Sequence, residues 1–385
     1  METTQTVTEI TIPFNRPAVV GRERVYMDAA LAAGRISGDG QFTQACHALL
    51  AAELGAARVL LTTSCTHALE MTALLLDIQP GDEVVIPSFT FVSTVNAFAL
   101  RGARPVFADI RPDTLNLDEA QLPRLIGPRT RAIVPVHYAG VGCEMETILD
   151  LAAHHGIAVV EDNAHGLFGR RNGRLLGSFG CMSTLSFHET KNVTCGEGGA
   201  LIVNDPRYVE QAEIVREKGT NRSQFFRGMV DKYTWVDLGS SYLPSDLLAA
   251  YLLAQLEARE RIQAARRRIW DRYDCELAGW ATASGARLPV VPPSCEQPYH
   301  IFYLLLPSLA ARQGLIAHLR EQGILAVFHY VPLHLSAYAR KVAARPASCP
   351  VAADVADRLV RLPLFYDLSS GDQERVIGAV TSFRP

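Results

Sequence analysis

The chain has 385 residues, 48% of them apolar and 20% charged, with a net charge of −3 at neutral pH. That length exceeds what one hydrophobic core supports and predicts two domains, while the composition excludes a disordered chain. Charges of both signs are spread along the sequence, which excludes a strong field directed at nucleic acid or an anionic membrane.

The eight cysteines (Cys46, Cys65, Cys143, Cys181, Cys195, Cys275, Cys295 and Cys349) are scattered, without a C-x-x-C or a nearby His pair at metal-ligand spacing. They read as reduced thiols of a cytoplasmic protein, and no metal site is expected. Residues 1–8 are polar and lack the basic and apolar regions of an export signal, and no apolar run approaches a membrane span.

After this start, Ile12-Pro13-Phe14-Asn15-Arg16-Pro17 reads as an extended arm, because proline restricts both itself and the residue before it. Residues 21–33 have helical spacing with Val25, Ala29 and Ala32 on one side, and 42–54 resume a helical pattern. Short apolar runs then recur at 58–61, 83–86, 105–108, 132–136, 157–160, 183–187 and 200–203, with helical segments such as 68–76 and 145–154 between most of them. Strands alternating with helices predict an α/β fold whose sheet, of about seven strands, is mostly parallel and covered on both faces. Residues 216–242 form a long polar segment whose aromatics argue against disorder. Residues 244–278 read as one connecting helix. Strands at 301–306 and 326–329 and helices at 311–322, 350–361 and 370–382 predict a smaller α/β domain, with the division expected as 1–250 and 251–385.

Ligands of open α/β sheets bind beyond the carboxyl ends of strands. The most informative stretch there is Ser186-Phe187-His188-Glu189-Thr190-Lys191, followed by Gly196-Glu197-Gly198-Gly199. A lysine just past a strand suits Schiff-base chemistry where its pKa is lowered or a carbonyl cofactor is supplied; the plain alternative is a surface lysine. Asp162, ending another run, could hold the proton of a pyridine nitrogen and make that ring an electron sink, or simply cap a helix. Ser64, Cys65 and Thr66 precede a helix whose free amides suit a phosphate, or form an ordinary N-cap. Phe91 offers a flat face to a heteroaromatic ring, or belongs to the core. Each sign is weak alone; their joint placement at strand ends is much stronger.

The order of a Ser/Thr turn before a helix, Ser88-Phe89-Thr90-Phe91, Glu161-Asp162-Asn163-Ala164-His165 and Ser186-Phe187-His188-Glu189-Thr190-Lys191-Asn192 before Gly196-Glu197-Gly198-Gly199 resembles the sugar aminotransferases of the DegT/DnrJ/EryC1/StrS family. The resemblance spans nearly the whole chain. The stretches 187–192, 216–228, 231–235 and 239–243 resemble in particular the subgroup that makes dTDP-4-amino-4,6-dideoxygalactose. It implies the PLP-dependent fold type I (aspartate aminotransferase-like), with pyridoxal 5'-phosphate (PLP) as cofactor. Lys191 would bond to the cofactor and then move protons. Asp162 would hold the ring proton, and Ser186 with the amides of Thr66 and His67 would bind the phosphate. Phe91 would stack on the ring, and His165, where many relatives carry Gln, would lie near its other side.

The sequence departs from the family at Cys65, where many members have Gly, at Asn163, and at Ser240-Ser241, where relatives often place an Asn that reaches a neighbouring subunit's phosphate. Ser240 or Ser241 could supply a hydroxyl there instead. Lys218, Arg222, Arg227 and Lys232 form a basic cluster, either a solvated loop or donors to a substrate diphosphate, across a dimer interface. His188, Tyr233, His329, Tyr330 and His334 are further candidates for the sugar nucleotide. The implied reaction moves an amino group from L-glutamate to C4 of dTDP-4-keto-6-deoxy-D-glucose in a cytoplasmic homodimer with shared active sites. Alternatives are a nucleotide 4-keto pentose of an antibiotic pathway, and a non-catalytic regulator that keeps the fold. A NAD-binding protein is disfavoured because no G-x-G-x-x-G follows the first strand.

Overall fold

The computed structural model describes residues 9–385, so the polar start at 1–8 lies outside the described residues. Seven strands form the main sheet: β1 (Arg58–Thr62), β2 (Glu83–Pro87), β3 (Arg104–Ala108), β4 (Thr130–Ile133), β5 (Ala158–Asp162), β6 (Met182–Ser186) and β7 (Gly199–Val203), in the order β1-β7-β6-β5-β4-β2-β3. Pairing is parallel from β6 through β3, and β7 runs antiparallel to both of its neighbours. The fold is therefore α/β with a mostly parallel sheet. Runs such as Val84-Val85-Ile86 are wholly buried, as strands covered on both faces must be.

The helices that set the site are short and start abruptly. Helix α1 spans Glu23–Ala32 and α2 Gln41–Leu54. Helix α3 (Cys65–Leu75) begins three residues after β1, with Ser64 as its N-cap accepting from the His67 amide at 3.1 Å. Helix α4 (Val92–Ala99) begins at Phe91, just beyond β2. Both N-termini thus face the rim where β5 and β6 end.

A second apolar core gathers around a two-stranded antiparallel sheet, β8 (Phe302–Leu305) with β9 (Leu359–Leu362), and buries Trp270, Tyr273, Leu315 and Val376. Ile12 of the N-terminal arm joins this core and bridges to Ile324.

Several expectations are corrected. Residues 244–278 are two helices, α5 (Asp246–Glu257) and α6 (Arg259–Ser284), broken at Ala258. The break follows from two destinations: Ala249, Leu252 and Leu256 pack beneath the main sheet, whereas Ile269, Tyr273 and Leu277 pack in the second core. A division at residue 250 would fall inside the first of these helices. On α1 it is Ala30 that is buried, while Val25 is 61% exposed. Residues 326–329 make only an isolated bridge, Val327 to Arg361, and 359–361 belong to β9 rather than to the preceding helix, Pro350–Arg358. The polar segment 216–242 contains one short helix, Arg222–Phe226, and two isolated bridges.

Candidate active site

A cavity of about 990 Å³ opens at the carboxyl ends of β1, β2, β5 and β6 and is roofed by residues 327–336 and by β9. Alternation along β5 decides what enters it. Glu161 is fully buried on the far side, tied to the amides of Gly177, Phe179 and Gly180 and to His137, so Asp162 must face the cavity. Asp162 Oδ2 accepts from Thr94 Oγ1 at 2.8 Å and Oδ1 from the Ala164 amide at 3.2 Å. Burial pushes its pKa up, against these two hydrogen bonds and the nearby Lys191 charge, which pull it down.

Lys191 lines the same cavity, held by a turn in which its amide donates to the His188 carbonyl. Burial strips water from the ammonium and lowers its pKa to about 8, partly offset by Cys65 and Asp162. The Gly198-Gly199 pair lets this turn close: a Cβ on Gly199 would sit 2.4 Å from the Cys65 amide nitrogen and from the Ser64 carbonyl carbon. Glycine is thus required where β7 passes under the start of α3.

Ser64, Cys65, Thr66, Phe91, His165, Ser186 and His188 line the same cavity. Phe91 is 57% exposed at its mouth, as a platform for a ligand would be. His165 is buried with Nδ1 lacking a partner, and its ring lies 4.5 Å from that of His300 and 6.0 Å from that of His329. Desolvation holds all three imidazoles well below their ordinary pKa, so they are neutral at pH 7. His329 bonds the Tyr138 hydroxyl at 2.7 Å and stacks on Tyr330 at 3.6 Å.

Other candidates are not brought in. His67 turns its ring against Thr63 and Tyr242, and its amide serves the Ser64 cap. Ser240 and Ser241 are exposed away from the cavity. Lys218 and Arg222 pair with Glu217 at 3.2 and 2.9 Å, Arg227 pairs with Glu213, and Tyr233 meets Phe225 edge to face; none of them lines the cavity of this chain. His334 bonds Ser88 Oγ at 2.6 Å and ties the roof to the end of β2. Thr94, His300, Phe14 and Arg361 line the cavity but were not among the sequence candidates. The i, i+4 pair Thr90 and Thr94, bonded at 2.9 Å, was the one local signal for the first.

The residues fit PLP on independent grounds. Asp162 is a buried carboxylate with no ion-pair partner among the described residues and suits a protonated ring nitrogen, Lys191 of depressed pKa lines the same cavity, and a capped helix end offers amides to a phosphate. Fold and site together define a PLP-dependent aminotransferase of fold type I. The chain belongs to the DegT/DnrJ/EryC1/StrS aminotransferase family, whose model matches residues 18–381. It is 32% identical over 378 residues to the spore coat polysaccharide biosynthesis protein SpsC of Bacillus subtilis, covering 96% of each chain. Among solved structures it is similar to the aminotransferase TlmJ of Streptoalloteichus hindustanus, with a TM-score of 0.88, 31% identity and coverage of 97% and 98%. It also matches the PLP form of Spr1654 of Streptococcus pneumoniae, described as a sugar aminotransferase, with a TM-score of 0.88, 26% identity and coverage of 96% and 98%. Spr1654 has been solved in its pyridoxamine phosphate form as well. Among the described residues no helix is long and apolar enough to cross a membrane.

Proposed function

We propose that this enzyme transfers an amino group from L-glutamate to C4 of a nucleotide-linked 4-keto-6-deoxyhexose, dTDP-4-keto-6-deoxy-D-glucose, giving dTDP-4-amino-4,6-dideoxy-D-galactose and 2-oxoglutarate. The observation that carries the chemistry is the presence of Lys191 and Asp162 together in one cavity, each within reach of the other's charge. The choice of sugar rests on the resemblance of the stretches around Lys191 and in 216–243 to the C4 subgroup.

When bound, PLP supplies an aldehyde carbon for the Lys191 amine and an electron-withdrawing ring that stabilises negative charge on the reacting carbon. Asp162 would hold a proton on the ring nitrogen, and the Thr94 hydrogen bond orients that carboxylate and favours its ionised form. The α3 N-terminus, through the Thr66 amide and the Ser64 and Ser186 hydroxyls, would hold the phosphate. Phe91 and neutral His165, which line the cavity, would flank the ring. Lys191, with its pKa lowered to about 8, gives and takes the proton that moves during transfer, as a general acid and base must. His188, His329 and Tyr330 border the space left for the sugar.

The active unit is a homodimer. Phe226, Met229, Trp235 and Leu238 are between 52% and 77% exposed on one segment, an apolar surface that a second copy of this chain would cover. That segment carries Lys218, Arg222, Arg227 and Tyr233 to the partner's cavity for the diphosphate, with Ser240 or Ser241 for the cofactor phosphate. All eight cysteines are free thiols, in keeping with a cytoplasmic enzyme.

The test is to incubate PLP-loaded enzyme with L-glutamate and the keto sugar nucleotide and to follow 2-oxoglutarate and the amino sugar. A small proton coupling at C4 of the product marks the axial amine. Absence of both products sinks the proposal, and faster turnover of a 4-keto pentose nucleotide replaces it with the pentose alternative.

A further inference from the structure

Phe187 and Val193, at the two ends of the turn that carries Lys191, are buried beneath the main sheet. The residues between them are gripped from the other side. Asn15, on the arm that Ile12 anchors in the second core, donates to the Glu189 carbonyl at 3.0 Å. Asn192 makes three such bonds: Nδ2 donates to Gln263 Oε1 at 3.0 Å and to the Pro298 carbonyl at 2.6 Å, and Oδ1 bonds His300 Nδ1 at 2.9 Å. A proline carbonyl can only accept, which fixes the orientation of the Asn192 amide and puts the His300 proton on Nδ1. Every polar atom of this side chain is therefore engaged by residues of α6 and of the strand-like segment before β8. Asn192 does not line the cavity, whereas its neighbour Lys191 does.

The receiving side is constrained in its turn. Arg266, one helical turn beyond Gln263 on α6, is 3% exposed and pairs with no carboxylate among the described residues. Its guanidinium donates instead to the carbonyls of Tyr299, His300 and Leu364 at 3.0, 2.6 and 3.2 Å. Tyr299, between Pro298 and His300, has a φ of 56°, a left-handed conformation that a bulky side chain keeps only where its surroundings enforce it. Arg266 supplies that enforcement. Its result is a Pro298 carbonyl and a His300 N–H both presented to Asn192.

We infer that Asn192 is a positioning residue, which sets Lys191 in the cavity from the second core rather than from the strand that precedes it. The inference rests on the reading above in which Lys191 takes the cofactor aldehyde and moves the proton. How deep the amine is held decides how much water it keeps. The groups whose charge meets it come from several elements: Cys65 on α3, Asp162 at the end of β5, Arg361 on β9 and the neutral imidazoles of His165, His300 and His329. Arg361 lies 4.7 Å from the centre of the Phe14 ring, donates to the Phe328 carbonyl and pairs with no carboxylate among the described residues. Nearer the turn are His188 and Glu197, 3.6 Å apart, and the Tyr330 phenol lines the roof. Asn192 adds no charge to this set. A change in the titration of Lys191 when Asn192 is removed thus reports position, not electrostatics.

The test is the pH dependence of the second-order rate at which apoenzyme captures PLP, followed by absorbance. The wild-type midpoint is expected at about 8. In Asn192→Ala the amine regains water, so the midpoint should rise by about one unit or more toward the ordinary lysine value, and capture at neutral pH should slow by about 10-fold or more. In the loaded variant the half-reactions with L-glutamate and with the keto sugar nucleotide should lose kcat by the same factor of about 10, with KM within about 3-fold, because one lysine serves both. An unchanged midpoint in folded Asn192→Ala overturns the inference and leaves the residue a structural contact. A wild-type midpoint in the ordinary lysine range, or a loss confined to one substrate or to KM, overturns it as well. Should Asn192→Ala fail to fold, Gln263→Ala replaces it: this change lies outside the cavity, leaves the His300 bond in place and should raise the midpoint by about half a unit, and an unchanged midpoint there is equally decisive against the inference. A wild-type enzyme that does not aminate the keto sugar would instead refute the reaction proposed above, while the capture midpoint, which needs neither substrate, still decides the role of Asn192.

Discussion

Taking an amine out of water disfavours its charge, and at Lys191 this effect outweighs the pull of the nearby Asp162 carboxylate. The neutral, nucleophilic form therefore grows in as pH rises through about 8 rather than through the ordinary lysine range. The second-order rate at which apoenzyme captures PLP, followed by absorbance, should climb with that midpoint. Asp162→Asn removes an interaction that raises the Lys191 pKa, so it should move the midpoint lower. A midpoint above 10 in the wild type would show that the cavity does not desolvate the amine. At the neighbouring carboxylate, Thr94 supplies the side-chain hydrogen bond that opposes burial. Thr94→Val should push the Asp162 pKa further up and lower kcat by about 10-fold or more, with a smaller change in KM, since a hydrogen bond to a buried charge is lost. An unchanged pH profile of kcat would remove Thr94 from the site.

At the scale of elements, the site is a meeting of strand ends with helix beginnings. Ser64 follows the end of β1 and caps α3, and Ser64→Ala should cost about 1 kcal/mol in chemical unfolding while weakening retention of inorganic phosphate or PLP. Gly199 is a sharper case, because the added methyl would overlap backbone atoms of Ser64 and Cys65 that cannot move independently of β1 and α3. Gly199→Ala should lose about 1–3 kcal/mol and most of its affinity for PLP, measured by urea unfolding and by absorbance titration. Wild-type PLP affinity in this variant would show that the close approach does not shape the phosphate turn. The Gly-rich stretch was visible in the sequence, but its purpose was not: the clash partner lies more than a hundred residues earlier.

For the molecule as a whole, the exposed aromatic segment decides whether the single chain is sufficient. Arg222 and Arg227 neutralise Glu217 and Glu213 rather than facing the chain's own cavity, and Trp235 is 77% exposed beside them. If the proposed homodimer forms through this segment, Trp235→Asp should shift it toward monomer in sedimentation, by placing a charge in an apolar contact. Catalysis should fall with the dimer fraction if the segment serves the partner's cavity. A dimer unaffected by this change, or a fully active monomer, would place those side chains outside the site.

The seven strands of the main sheet could be read from the sequence because each is a short apolar run between helical segments, and pairing within a layered α/β fold follows from that alternation. Lys191, Asp162, the Ser64 turn and Phe91 were legible for the same reason: they sit at strand ends, where such folds bind ligands. The break at Ala258 was not legible, since both halves have helical periodicity and only their packing against different cores separates them. Nor was Arg361. Its sequence surroundings are those of an ordinary strand arginine. Chain reversal between β8 and β9, the docking of Phe14 against its guanidinium and the lack of any acid within reach are all set by parts of the chain distant in sequence. Local pattern determined the sheet and the residues of the cavity rim; three-dimensional packing alone decided which charges there lack a partner among the described residues.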